Sequence, residues 1–190
     1  MTAKVDNTAK FEDSAINGTV AMTAETGDNT LTLTRTNSGN VSMTSATGNT
    51  LSVTGKASEN GEVPATPEEI DYNGTEAIQA QINGSVTMTS SNGSNTAELI
   101  DAALKEGISM TAEQKEATVA DNTLTIAGSS YVNKVWNAEK SVHEDNTVQQ
   151  LATVGGAVSM TAADNNTLNA ELATIGGCLL YTSDAADDLI

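Results

Sequence analysis

The sequence predicts a mainly β protein, a parallel β-solenoid of about eight repeats of roughly 23 residues with short helices in some later repeats. Three observations carry this. The segment Gly-x-Val-x-Met-Thr recurs, as GTVAMT from Gly18, GNVSMT from Gly39, GSVTMT from Gly84 and GAVSMT from Gly156. A turn motif, Asn-Thr-Leu or a close variant, follows each at similar spacing, as at Asn29, Asn49, Asn95, Asn122 and Asn166. Aliphatic residues then alternate with Thr or Ser, as in Leu31-Thr32-Leu33-Thr34 and Leu51-Ser52-Val53-Thr54.

Alternation places Val20 and Met22 on one face of a strand, and Leu31 and Leu33 on one face of the next. Asn, Asp and Gly between them suit turns, because they tolerate left-handed backbone and bond their own main chain. A two-strand unit this short cannot bury its own apolar face, but stacked copies cover one another. Aligned asparagines would then hydrogen-bond from coil to coil. A β-hairpin array or a β-sandwich is the alternative, although a sandwich does not require so constant a period.

Two degenerate copies complete the series of eight. Their key positions fall at Ala65, in VPAT, and Asn137, in VWNA, beside Met1, Met22, Met43, Met88, Met110 and Met160. All the methionines thus share one repeat position, which makes Met1 an expected internal methionine rather than a start. Helices are expected where the second half of a unit carries capping signals. In NTAELIDAALKEG, Asn95 and Glu98 form a capping box and Gly107 ends the helix. Residues 146–156, 75–84 and 166–177 lean the same way.

The expected organisation is a repeat fragment over 1–177, with insertions near 55–75 and 127–145, and a non-native tail over 178–190. The first insertion holds both prolines, Pro64 and Pro67, and several acids, the pair Glu68-Glu69 among them. The second holds Tyr131, the sole Trp136 and the sole His143. The tail holds the only cysteine, Cys178. Its run CLLYTSDAAD closely resembles the translation of a transposase-type sequencing adapter, which implies that the tail is foreign and that the repeats once continued.

Net charge is −17, from 25 acids against 8 bases, which argues against nucleic acid and anionic membrane surfaces. Aromatic residues make up only 3%, so the interior must be built from small and medium side chains. No apolar run approaches a membrane span. One cysteine excludes an internal disulfide and a Cys-based zinc site.

Chemistry-bearing residues are few. A lone histidine in a polar insertion reads as a solvent-exposed loop residue, and no glycine-rich phosphate loop or HExxH is present. The expectation is no catalysis. Calcium is the cofactor considered, because Asp6, Asp28, Asp121, Asp145 and Asp164 recur near the turns and could supply oxygens. Of these, Asp28, Asp121 and Asp145 are the leading candidates, and turn capping is the competing role. Tyr131, Trp136 and His143 are the candidate binding residues, because insertions in solenoids often map to the binding face.

In composition, the Thr/Asn/Gly-rich, acidic repeats over 1–177 resemble those of large bacterial adhesins and autotransporter passenger regions. The resemblance implies a structural or adhesive segment of a secreted or cell-surface protein. It implies stacking on flanking repeats of one parent chain and a host or glycan surface ligand. The alternative is a β-helix enzyme acting on polysaccharide, or a phage tailspike fragment, which would need acids and bases clustered on one face.

Overall fold

The computed structural model describes residues 1–115 and 119–183. Among them every regular element is a strand. β1 (Thr2–Ala3) and β2 (Asn7–Glu12) begin the order. β3 (Val20–Ala24), β4 (Asp28–Thr34) and β5 (Asn37–Ser38) follow, then β6 (Val41–Ser45), β7 (Gly48–Thr54) and β8 (Ala80–Ile82). Next come β9 (Val86–Ser90), β10 (Ser94–Ile100) and β11 (Ala102–Leu104). β12 (Ile108–Ala112) and β13 (Asn122–Ala127) precede β14 (Ser129–Asn137) and β15 (Val142–Gln150). β16 (Ala152–Val154), β17 (Val158–Ala162), β18 (Asn166–Glu171), β19 (Ala173–Ile175) and β20 (Leu179–Ser183) complete the described chain.

The strands form three parallel sheets. Sheet 1 has 7 strands in the order β1-β3-β6-β9-β12-β17-β20, sheet 2 has 6 in the order β2-β4-β7-β10-β13-β18, and sheet 3 has 5 in the order β5-β8-β11-β16-β19. The chain visits sheets 1, 2 and 3 in turn, and each such circuit adds one strand to each sheet. This is the arrangement of strands that a parallel β-solenoid requires. It excludes a hairpin array as the main architecture, since among the described residues only β14 and β15 form an antiparallel pair of strands.

Register follows the repeat. Met22, Met43, Met88, Met110 and Met160 are direct neighbours in sheet 1, all essentially fully buried. Sheet 2 stacks Leu31, Leu51, Ala97 and Leu124, and beside them Leu33, Val53, Leu99 and Ile126. Sheet 3 contributes Ile82, Leu104 and Val154. Together these columns form one core cluster. The unbranched thioethers fill the space between flat aliphatic columns that stiffer side chains would fit less well.

A polar column runs through this core. Asn7, Asn29, Asn49, Asn95 and Asn122 are all buried. Each donates from Nδ2 to Oδ1 of the asparagine in the next circuit, at 2.9, 2.9, 2.8, 3.0 and 3.0 Å, ending on Asn166. The other Nδ2 hydrogen goes to a threonine carbonyl of the next sheet 1 strand, from Asn7 to Thr23 at 2.6 Å through Asn122 to Thr161 at 2.7 Å. Both donor hydrogens and the acceptor of an interior asparagine are therefore used.

Sequence expectations are corrected at two points. The expected helices are strands. Residues 95–107 form β10, a corner at Asp101 and β11, with Ala97, Leu99, Ala102 and Leu104 buried. Asn95 does not cap a helix, because its amide belongs to the polar column. Residues 166–177 likewise form β18 and β19, residues 146–156 fall in β15 and β16, and β8 occupies 80–82. Pairing along whole strands outweighs a local helical preference worth only a few tenths of a kcal/mol per residue. The second correction concerns the count of eight repeats. Sheet 1 has 7 strands. Ala65 lies outside the strands and Asn137 ends a hairpin strand, so neither occupies the methionine column.

β20 pairs with β17 in register, Tyr181 beside Met160. Asp184 and Asp187 of the adapter-like run, and Asp188 after it, lie outside the described residues.

The corner between sheets 2 and 3 is one residue wide at Asp101 and Leu172, and these two, with Asp13 and Arg35, adopt left-handed backbone at φ 45–48°. The amides of Asp13, Arg35 and Asp101 cross to the next circuit, to Thr34 O at 3.1 Å, Thr54 O at 2.8 Å and Ala127 O at 2.8 Å. The Arg35 guanidinium also binds both oxygens of Asp13 at 2.6 Å and holds that carboxyl below its usual range.

Two predictions follow from the packing. Asn49→Ala removes three buried hydrogen bonds and should cost about 3 kcal/mol, against about 1 kcal/mol for Asn166→Ala near the column's end, read as urea unfolding midpoints. The hydroxyls of Ser45 and Ser90 are buried without a hydrogen-bond partner. Ser45→Ala and Ser90→Ala should therefore leave the unfolding midpoint unchanged or raise it.

Candidate recognition site

Two insertions leave the same corner of the fold. Residues 55–79 separate β7 from β8, and the β14–β15 hairpin separates β13 from β16. One uninterrupted circuit, β9 to β11, lies between them. Where the chain departs, the corner residue is glycine. A Cβ on Gly55 would lie 2.3 Å from the Asp101 carbonyl oxygen and 2.4 Å from that of Ile78. One on Gly128 would lie 2.2 Å from the Gln150 carbonyl oxygen. The returning chain thus occupies the space a side chain would need.

The first insertion closes on itself through antiparallel bridges between Lys56 and Ile78 and between Glu59 and Thr75. It then spans the intervening circuit to reach the hairpin. Tyr72 and Lys134 exchange two backbone hydrogen bonds at 2.8 Å. Gly61 N donates to Val132 O at 2.7 Å, and Gly74 N to Asn133 Oδ1 at 2.8 Å. Asp71 accepts from Trp136 N at 2.9 Å, and Gln150 bonds both N and O of Ala77. The loop therefore covers one edge of β14, which would otherwise offer unpaired groups.

Hairpin register sorts the residues singled out in the sequence. Trp136 lies opposite His143, Lys134 opposite Asp145, and Tyr131 opposite Val148. Trp136 and Lys134 share one face by alternation, and Tyr131 takes the other. The structure therefore brings Trp136 and His143 together and separates Tyr131 from them. Tyr131 is only 7% exposed and its ring abuts Gly74. Its hydroxyl lies 3.4 Å from Glu76 Oε1, and burial, then the Glu76 charge, push its pKa up.

His143 is the centre of an aromatic group. Its ring centroid lies 5.1 Å from that of Trp136, edge-on, and 5.2 Å from that of Tyr72. Nε2 donates to Ile70 O at 2.7 Å, which leaves Nδ1 as the free ring nitrogen. Beside it a groove of about 630 Å³ is lined by Asn60, Glu62, Val132, Lys134, His143 and Asp145 among others. Within that lining Lys134 Nζ pairs with Asp145 at 2.5 Å. At the hairpin tip Lys140 and then Asn137 hold the Glu144 carboxyl below its usual range. The groove thus offers carboxylate, ammonium, imidazole and amide groups, and through His143 it adjoins the Trp136 and Tyr72 rings.

The calcium candidates are scattered. Asp28 accepts from the Thr47 hydroxyl, and its own amide bonds Asp6 Oδ1 at 2.9 Å. Asp121 Oδ1 accepts from the Asn165 amide at 2.9 Å, and Asp164 Oδ2 from Ala120 N at 2.8 Å. These carboxylates tie the sheet 1–sheet 2 turn of one circuit to that of the next, which is the turn-capping role. Asp145 lies apart from them, on the hairpin. Among the described residues no three His, Cys, Asp or Glu converge as a metal site.

Tyr72 is not legible as a site residue in the sequence, because it lies outside the repeat pattern and its bridge to Lys134 is long-range. Compared with known proteins, the chain matches no family model, no curated protein and no solved structure.

Gly74→Ala should separate the two insertions. Its Cβ would sit 2.5 Å from Glu59 O and 2.6 Å from the Tyr131 ring. Proteolysis should then cut within 55–79 while the repeat strands stay protected.

Proposed function

We propose that the chain is a parallel β-solenoid segment of a secreted or cell-surface protein, a stalk without catalysis of its own. The fused insertions are its recognition element, and a glycan on another surface is its ligand. The observation that carries this reading is the joining of two insertions, from alternate circuits, around the Tyr72–His143–Trp136 group. A stalk needs only its repeats. Two loops that spend more than ten hydrogen-bonding groups on each other across a circuit form a built surface. Aromatic rings beside fixed polar groups suit a sugar, which presents apolar C–H faces and hydroxyls together.

An enzymatic reading has less support. The carboxylate of Asp145 is occupied by Lys134, and His143 Nε2 by Ile70.

A glycan array probed with the full chain tests the proposal. Binding should be confined to a few sugars and fall roughly tenfold or more in Trp136→Ala, with the unfolding midpoint retained. Equal binding by the variant, or no binding by the folded chain, overturns it.

A further inference from the structure

The first insertion covers one edge of the hairpin and leaves the other open. Lys134 exchanges two backbone hydrogen bonds with Tyr72, and Val132 O accepts from Gly61 N. Ser130 O accepts from the Ser58 hydroxyl, and Trp136 N donates to Asp71. The main chain of residues 130, 132, 134 and 136 therefore points away from β15. In an antiparallel pair the residues opposite them must point away from β14 in turn. Those residues are Gln149, Thr147, Asp145 and His143. Among the described residues nothing pairs with their N–H and C=O groups. At 9 residues each, β14 and β15 are also the longest described strands. β15 holds neither proline nor lysine, the residues that commonly blunt an exposed edge.

We propose that the outer edge of β15 receives an extended basic peptide segment of another protein as an added strand. The peptide exchanges main-chain hydrogen bonds with His143, Asp145, Thr147 and Gln149, so backbone pairing supplies the affinity. Its side chains alternate, and every second one falls on the face that carries His143 and Asp145. Lys134 holds Asp145 Oδ1, while Asp145 Oδ2 has no partner among the described residues. A lysine or arginine opposite Asp145 meets that open oxygen, and opposite charges on facing strands stabilise the pair. Charge also selects among occupants. The charged residues of β15 are Glu144 and Asp145, in a chain of net charge −17. A second copy of the same edge would bring like charges together, and a basic strand brings complementary ones.

This assignment uses main-chain groups and does not rest on the glycan reading. The full chain is tested by amide hydrogen exchange, read by NMR at physiological ionic strength, with an alternating Lys-Thr decapeptide as probe. The peptide should slow exchange at His143, Asp145, Thr147 and Gln149 roughly tenfold or more. Glu144, Asn146 and Val148, which face β14, should change little. An alternating Glu-Thr decapeptide, and spermine as a polycation without a peptide backbone, should leave the four amides fast. Thr147→Pro removes one outward N–H and spares the bonds to β14, and it should weaken binding of the basic peptide roughly tenfold or more. No slowing by the Lys-Thr peptide overturns the proposal, and so does equal slowing by the acidic peptide or by spermine. Undiminished binding by a folded Thr147→Pro does the same. Protection of these amides in the free chain that grows with its concentration overturns it in favour of a second copy. The wild-type exchange pattern is decisive even where the proline variant fails to fold.

Discussion

The buried asparagine column is the constraint on which the stack depends. A buried amide is costly unless each of its groups is paired, and in low dielectric the penalty for one gap is large. Here each interior asparagine bonds the asparagines of the circuits beside it, and Asn29 and Asn122 also reach a methionine carbonyl of their own circuit. The column therefore fixes three things together: the register of sheet 2, the separation of circuits, and the position of sheet 1, whose threonine carbonyls take the second hydrogen. A slip of one residue would bury threonine and expose leucine, and it would also break every link of the column. The apolar columns supply most of the burial, and the amides define which arrangement is reached.

Much of this was legible in the sequence, for a physical reason. Residues that must meet their own kind, such as Met22 with Met43 or Asn29 with Asn49, leave a periodic trace. The alternation Leu31-Thr32-Leu33-Thr34 left the second kind of trace, because a strand with one wet side must alternate. The helices expected from Asn95-Thr96-Ala97-Glu98 were misread because a capping signal and a turn signal use the same residue types. Only the partner circuit decides between them, and that partner is far away in the chain.

The candidate site was legible in composition and not in geometry. Trp136 and His143 stood out because they are unique. Their pairing with Tyr72 depends on a bridge between residues more than sixty positions apart, with no periodic trace. The count of repeats failed for a related reason. Two insertions of similar length to a circuit imitate the period while contributing no rung, and VPAT and VWNA supplied chance matches at the expected places.

The single-residue corner has a consequence for how such a molecule can change. At Asp101 and Leu172 one residue carries the chain from sheet 2 to sheet 3, and at the neighbouring corners, Gly55 and Gly128, the chain leaves for an insertion. Extra chain added there emerges sideways and returns to the same spot, so the stack above and below keeps its spacing. The corner is therefore a seam at which length is free. Both insertions of this chain use it, and the circuits on either side keep their register.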